Sequence, residues 1–144
     1  KKHIPDSSDC RLICTDAARM AIRTSTFDHT VCIQNGISAF HTDKAGLIRE
    51  AMRVTRPGGT VIFSSYSGRF WEHRLEWFML QAREGLLGEI DTKRTGDGAI
   101  VCKDGFVATT VDGEEFLALT GSLGAEADIT EVDQSSIFCE IKVT

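Results

Sequence analysis

Apolar positions in this chain gather into short runs divided by polar, glycine-bearing segments. Residues 11–15 (Arg-Leu-Ile-Cys-Thr) form one run, ending at Asp16. Residues 30–34 (Thr-Val-Cys-Ile-Gln) form a second, ending at Asn35-Gly36, and residues 60–64 (Thr-Val-Ile-Phe-Ser) a third. None alternates strictly between apolar and polar, which is the pattern of strands covered on both faces of a parallel sheet. Between the second and third runs the spacing changes to that of a helix. Over residues 44–55, Leu47, Ile48, Ala51, Met52 and Val54 share one face, with Lys44, Arg49, Glu50 and Arg53 outside it. Asp43 is placed to cap this helix, and Pro57-Gly58-Gly59 to end it.

The second half continues in the same manner. Residues 69–85 predict a longer helix, because Trp71, Leu75, Phe78, Met79 and Ala82 recur at spacings of three and four. Residues 85–98 are polar and glycine-punctuated, hence loop. Residues 99–111 predict a β-hairpin turning at Asp104-Gly105. Asp112 can cap a helix carrying Glu114 and Glu115 in its first turn, where acidic groups favour the positive end of the helix dipole. That helix should bury Phe116, Leu117, Leu119 and Leu123 and stop at Gly124. Two strands follow, near 128–132 and 136–143. This order indicates an α/β open sheet in a single domain.

Composition narrows the function classes. The 144 residues are 42% hydrophobic and 26% charged, enough for a folded core and unlike a disordered chain. Sixteen basic against 21 acidic residues give a net charge of −5, which argues against a nucleic-acid partner. No apolar run approaches the roughly 20 residues of a membrane span, and no signal peptide opens the sequence. The five cysteines include no C-x-x-C pair. Cys14, Cys32 and Cys139 lie in apolar runs and are expected to be buried, reduced thiols, pointing to a cytoplasmic setting. The four histidines lack ligand spacing, so no metal is expected.

In an open parallel sheet, ligands bind beyond the carboxyl ends of the strands. Three polar segments would lie there: Asp16-Ala17-Ala18, Gln34-Asn35-Gly36-Ile37-Ser38 and Ser64-Ser65-Tyr66-Ser67. The same residue types dominate ordinary turns. Asp16 could accept a hydrogen bond from an exocyclic amine. His41, just beyond the second strand end, is a candidate general base, or else a surface or capping residue. Tyr66, Phe70 and Trp71 could wall a substrate pocket, Trp71 serving equally as the inner face of a core helix. Trp77 lies off the apolar stripe, which makes it exposed or partner-facing.

Three motifs in order carry a resemblance: Cys10-Arg-Leu-Ile-Cys-Thr-Asp16-Ala17, Phe27-Asp28-His-Thr-Val-Cys-Ile-Gln34-Asn35-Gly36, and Leu47-Ile-Arg-Glu-Ala-Met-Arg-Val-Thr-Arg56-Pro57-Gly58-Gly59. With the terminal helix and strand pair, they resemble the second half of a class I S-adenosylmethionine-dependent methyltransferase. The resemblance implies a partial Rossmann-like sheet with strands equivalent to the family's 3, 4, 5, 6 and 7, and an inserted β-hairpin. Residues 1–144 would form one domain, truncated at its N-terminal side relative to the family. The cofactor implied is S-adenosylmethionine, with Asp16 and Ala17 at its adenine and Gln34, Asn35 and Gly36 near its methionine part. No Asn-Pro-Pro-Tyr signature of nucleobase or glutamine methylation occurs at 34–40, so the implied acceptor is a small molecule. The family's glycine-rich loop and its ribose-holding acidic residue are absent.

That departure has a physical consequence. In the family's sheet order, 3-2-1-4-5-7-6, two absent strands separate the run at 11–15 from the run at 30–34, a gap of roughly 14 Å at about 4.8 Å per spacing. An empty slot would bare backbone edges. Either a segment outside this sequence fills it, a second copy of the chain fills it, or the first strand moves beside the second. The isolated chain is expected to bind cofactor weakly or not at all. The rival reading is a non-catalytic methyltransferase-like assembly module. Another nucleotide-binding α/β fold is disfavoured by the Pro-Gly-Gly turn and the final antiparallel strands.

Overall fold

A computed structural model describes residues 11–144. Its main sheet has four strands in the order β1-β2-β6-β5. Strand β1 (Phe27–Cys32) runs parallel to β2 (Thr55–Tyr66), with Val31 opposite Ile62 and Cys32 opposite Phe63. The connection between them holds a short helix α1 (Gly36–Ala39) and helix α2 (Lys44–Val54), as a parallel crossover requires. Strand β6 (Ser136–Lys142) pairs antiparallel with β2, and β5 (Ala127–Val132) pairs antiparallel with β6. Helix α3 (Trp71–Arg83) follows a 3-10 turn at Gly68–Phe70. Strands β3 (Ile100–Val101) and β4 (Val107–Ala108) form a small antiparallel hairpin, and helix α4 (Gly113–Ser122) leads into β5.

Local chemistry explains these boundaries. Asp43 accepts hydrogen bonds from the backbone of Ala45 (3.1 Å) and Gly46 (3.0 Å), so α2 starts where the cap dictates. Asp112 caps α4 through the Glu115 amide at 2.8 Å. Strand β1 stops at Cys32 because Gln34 and Asn35 adopt left-handed φ values of 55° and 62°. The Pro57-Gly58-Gly59 segment bulges out of the β1–β2 ladder between Phe27 and His29. A side chain at Gly59 would lie 2.6 Å from the Asp28 carbonyl oxygen, so only glycine fits this close approach.

The core lies between the sheet and helices α1, α2 and α4. Ile37, Ile48, Val61, Phe116, Cys139 and Ile141 are fully enclosed. Each such side chain contributes about 1.5–3 kcal/mol by leaving water. A second cluster, formed by Phe78, Ile90, Ile100 and Cys102 with Trp71 and Leu75 against it, joins α3 to the hairpin. Burial pushes the Cys139 thiol up to about 11 and also raises Cys102 and Cys32, which leaves these sulfurs as inert packing groups. Among the described residues no helix is long and apolar enough to cross a membrane.

Four expectations need correction. Residues 11–15 form no strand: Leu12 is 81% and Ile13 66% exposed, and Cys14 is exposed rather than buried. A strand persists only where a neighbour takes its backbone hydrogen bonds, and among the described residues this run has none. The one outcome open to a lone chain, a shift of this run beside β1, does not occur, and among the described residues β1 is the edge of the sheet. Instead the following segment is tied to α2. The Met20 amide donates to Glu50 Oε1 (2.6 Å), while Arg53 donates to the Met20 carbonyl (3.1 Å) and Thr24 Oγ1 (3.2 Å). Leu117 is half exposed, since it sits one residue, about 100° of helix, beyond the inward Phe116. Met79 is likewise exposed on the outer side of α3, next to the inward Phe78. Cys10 lies outside the described residues.

Candidate functional site

The carboxyl ends of β1 and β2 lie side by side, and hydrogen bonds join them. The Asn35 amide donates to the Ser64 carbonyl (3.1 Å), and the Gln34 amide donates to Ser64 Oγ (3.0 Å). Asn35 is buried, and both ends of its side chain are committed inward. Its Nδ2 donates to the Thr109 carbonyl (2.8 Å), and its Oδ1 accepts from Ser65 Oγ (2.8 Å). Ser65 Oγ in turn accepts from the Val111 amide at 2.8 Å. One asparagine therefore fastens the β1 end, the β2 end and the segment after the hairpin. Its part in any ligand site is first to hold the frame, since one N–H and the oxygen of its amide are already engaged there.

Residues 34–36 form a partition with a cleft on either side. On one side Gln34, Asn35, Ser38, His41 and Tyr66 meet Trp77 and Phe78 of α3 and Phe106–Thr109 of the hairpin, around about 190 Å³. On the other, Ala17, Met20, Cys32, Gly36, Phe40 and Phe63 line an apolar cleft of about 340 Å³. A Cβ at Gly36 would meet Cys32 Sγ at 2.7 Å, so a larger residue there requires that thiol to shift. Asp16 is exposed beside Ala17, and its carboxylate accepts the Ala18 amide at 2.9 Å. The structure thus gathers Gln34, Asn35, His41 and Tyr66 into one cleft, and Ala17 and Gly36 into the other.

Phe70 and Trp71 stand apart from both. Phe70 stacks on Tyr66 with ring centroids 6.2 Å apart, and Trp71 packs against the second core cluster. Trp71 also borders a third cleft of about 350 Å³, with Ser67, Arg74, Asp97 and Thr110. Trp77, off the apolar stripe, is half exposed and walls the His41 cleft.

Arg74 is the residue that sequence reading passed over. It is 2% exposed, and its place three residues after Trp71 and four before Phe78 sets it on the apolar stripe of α3. Its guanidinium donates to the carbonyls of Gly98 (2.8 Å), Ala108 (3.0 Å) and Thr109 (3.4 Å), at both feet of the hairpin. It also lies 5.5 Å from the ring centroids of Tyr66 and of Phe78. Burial pushes its pKa below the ordinary arginine value, with Tyr66 opposing that shift. Among the described residues no carboxylate pairs with it, so carbonyl dipoles and aromatic faces carry its charge. The stripe spacing marks the position as inward, while the carbonyls that receive it lie on a hairpin distant in sequence.

Comparison with known proteins settles the architecture. Residues 1–63 match the family model described as a methyltransferase domain. A protein from Pyrococcus horikoshii OT3 superposes with a TM-score of 0.64 at 19% identity, over 95% of this chain and 63% of its own. An S-adenosylmethionine-dependent methyltransferase from Clostridium acetobutylicum gives 0.58 at 15% identity, over 92% and 64%. Another from Methanosarcina mazei gives 0.57 at 17% identity, over 88% and 64%.

The chain has a class I methyltransferase fold.

It spans somewhat less than two thirds of the length of these solved methyltransferase-fold proteins. No curated protein matches it. Against the family's strand order, β1, β2, β6 and β5 take the places of strands 4, 5, 7 and 6, and the hairpin β3–β4 is the insertion. Residues 34–36 then lie beyond the strand ends, where methyltransferase folds and other open sheets bind ligands.

Proposed function

We propose that this chain supplies the acceptor-side portion of an S-adenosylmethionine-dependent methyltransferase acting on a small molecule. The observation that carries this reading is the partition at residues 34–36, which sets an apolar cleft beside Asp16 against an aromatic cleft holding His41.

The cofactor's adenine end fits the residues present. Asp16 offers a carboxylate to an exocyclic amine, Ala17 offers its backbone beside it, and Cys32, Phe40 and Phe63 offer flat apolar walls. Gln34 and the Gly36 backbone lie toward the reacting end. Among the described residues nothing equivalent is gathered for the ribose. When bound, S-adenosylmethionine supplies a methyl group activated on a sulfonium. What the protein then does is position and exclude water. Asn35 fixes the partition, Tyr66 and Phe106 close the acceptor cleft, and His41 takes a proton from an acceptor that must lose one.

Calorimetric titration with S-adenosylmethionine tests the reading. The 144-residue chain should bind weakly, in the millimolar range of about −4 kcal/mol or poorer. A longer natural form containing a glycine-rich loop should bind well, and Asp16→Ala in it should weaken binding about ten-fold. Micromolar binding by the 144 residues alone would show the site misplaced. No binding by the longer form would favour the assembly module, for which the unpaired edge of β1 is the supporting observation.

A further inference from the structure

The acceptor cleft has more chemical character than a small-molecule site in general. Its walls are Tyr66, Trp77, Phe78 and Phe106. Trp77 and Phe78 meet edge to face at 5.4 Å, and Phe78 and Phe106 lie nearly parallel at 6.3 Å. Such walls offer faces and edges to a further ring. At about 190 Å³ the space suits a single ring, since an apolar cavity of about 150 Å³ takes up benzene.

The polar groups are few and unequal. Asn35 lines the cleft with one N–H and its oxygen already engaged by Thr109 and Ser65. Ser38 is 5% exposed, and its Oγ is buried without a hydrogen-bond partner. A buried hydroxyl left unpaired is costly, and a ligand atom is a natural partner for it. His41 stands at the same cleft.

Charge decides between two kinds of ring-binding site. An aromatic box is also the usual receptor for an ammonium group. Here Arg74 lies 5.5 Å from both Tyr66 and Phe78 and already occupies the attraction of those rings. No acidic residue lines the cleft to offset a second cation. A cationic acceptor is therefore repelled. An anionic one would find no Lys or Arg among the residues that line the cleft: Arg74 is not one of them, and three of its donor contacts go to carbonyls, with Nε left unpaired.

Resting on the methyltransferase reading above, we infer that this cleft takes a neutral acceptor built on one flat ring with a single polar substituent, which Ser38 Oγ meets. The ring lies against the α3 aromatics and Phe106 of the hairpin, so the insertion sets the specificity.

The test is calorimetric or saturation-transfer NMR titration of the full chain, without cofactor, using 4-methylphenol as the probe. Comparators are toluene, cyclohexylmethanol, benzyltrimethylammonium and 4-methylbenzoate. The phenol should bind about ten-fold more tightly than the two ions and the non-flat alcohol. It should exceed toluene about five-fold, and Ser38→Ala should abolish that margin while leaving toluene unchanged. Phe106→Ala should weaken every ring probe about ten-fold, and Phe106→Leu, which keeps most of the packing, should weaken them less. Circular dichroism identifies any variant that fails to fold. The inference is overturned if folded protein shows no saturable binding of the phenol, if the ammonium ion is preferred, or if the phenol margin survives Ser38→Ala. Because no cofactor is present, ring binding can fail while cofactor binding stands, and the reverse.

Discussion

The two clefts flanking residues 34–36 are built to different standards. The aromatic cleft is fastened by side chains that reach across the sequence, from Asn35 to Ser65 and Thr109, and from Arg74 to Gly98 and Ala108. The apolar cleft is walled partly by Val31, Ile33 and Phe40, each about half exposed, and by a segment that carries Asp16 on the surface. The sheet edges show the same contrast. Strand β5 exposes Asp128, Thr130 and Glu131, polar groups that discourage pairing, with Val132 exposed only at its end. Strand β1 presents Val31 beside unpaired backbone. On the proposed reading, acceptor selectivity rests on the more heavily hydrogen-bonded half of the site, and cofactor binding on the half beside β1.

The contrast can be broken most directly at Asn35. Asn35→Ala removes partners from the Ser65 hydroxyl and the Thr109 carbonyl and places a Cβ-branched-free but strained residue at φ 62°. Unsatisfied buried groups and a left-handed backbone together should cost about 3 kcal/mol, read as a lower urea midpoint at unchanged slope. A loss below about 1 kcal/mol would mean that the network does not hold the partition. Arg74→Met comes next. It strips the hairpin carbonyls of their donors but also relieves a buried charge, so the net cost should be smaller, about 2 kcal/mol. Hydrogen exchange should quicken over residues 98–109 while β2 and β6 stay protected.

Much of this frame was legible in the chain. The Asp43 and Asp112 caps, the Asp104-Gly105 hairpin and the terminal strand pair follow from local rules, and the structure bears them out. The gathering of Gln34, Asn35, His41 and Tyr66 followed from one rule about strand ends. What misled was the apolar run at 11–15, because apolar character specifies a strand only where a neighbour supplies hydrogen bonds. What stayed hidden was Arg74 and the inward turn of Asn35. Both bond to carbonyls of a hairpin some 24 to 74 residues away in sequence, and no local pattern encodes that meeting.

The weaker half offers two finer tests. The Arg53 hydrogen bond lowers the Glu50 carboxyl below its ordinary 4.5, so the folded chain holds this carboxylate deprotonated more firmly than the unfolded chain does. Its contribution is therefore present above about pH 4.5 and lost as pH falls through the lowered folded value. The Met20 amide, which donates to Glu50, should report this as a chemical-shift titration with a midpoint below 4.5. A midpoint at or above 4.5 would mean that the tie to α2 is not formed in solution.

The smallest effect is expected at Asp16. Its carboxylate is exposed and accepts one amide, from Ala18, within its own turn. Asp16→Ala should change unfolding free energy by about 0.5 kcal/mol or less, as surface substitutions away from caps and networks do. That near-silence is what gives the position its value. A residue that contributes little to folding yet lies beside an apolar cleft can be tested for ligand binding without a stability correction. A loss of more than about 1 kcal/mol would instead make Asp16 part of the frame. The two clefts would then be equally built, and the division between a fastened half and a surface-borne half, which the proposed reading assigns to acceptor and cofactor, would fall.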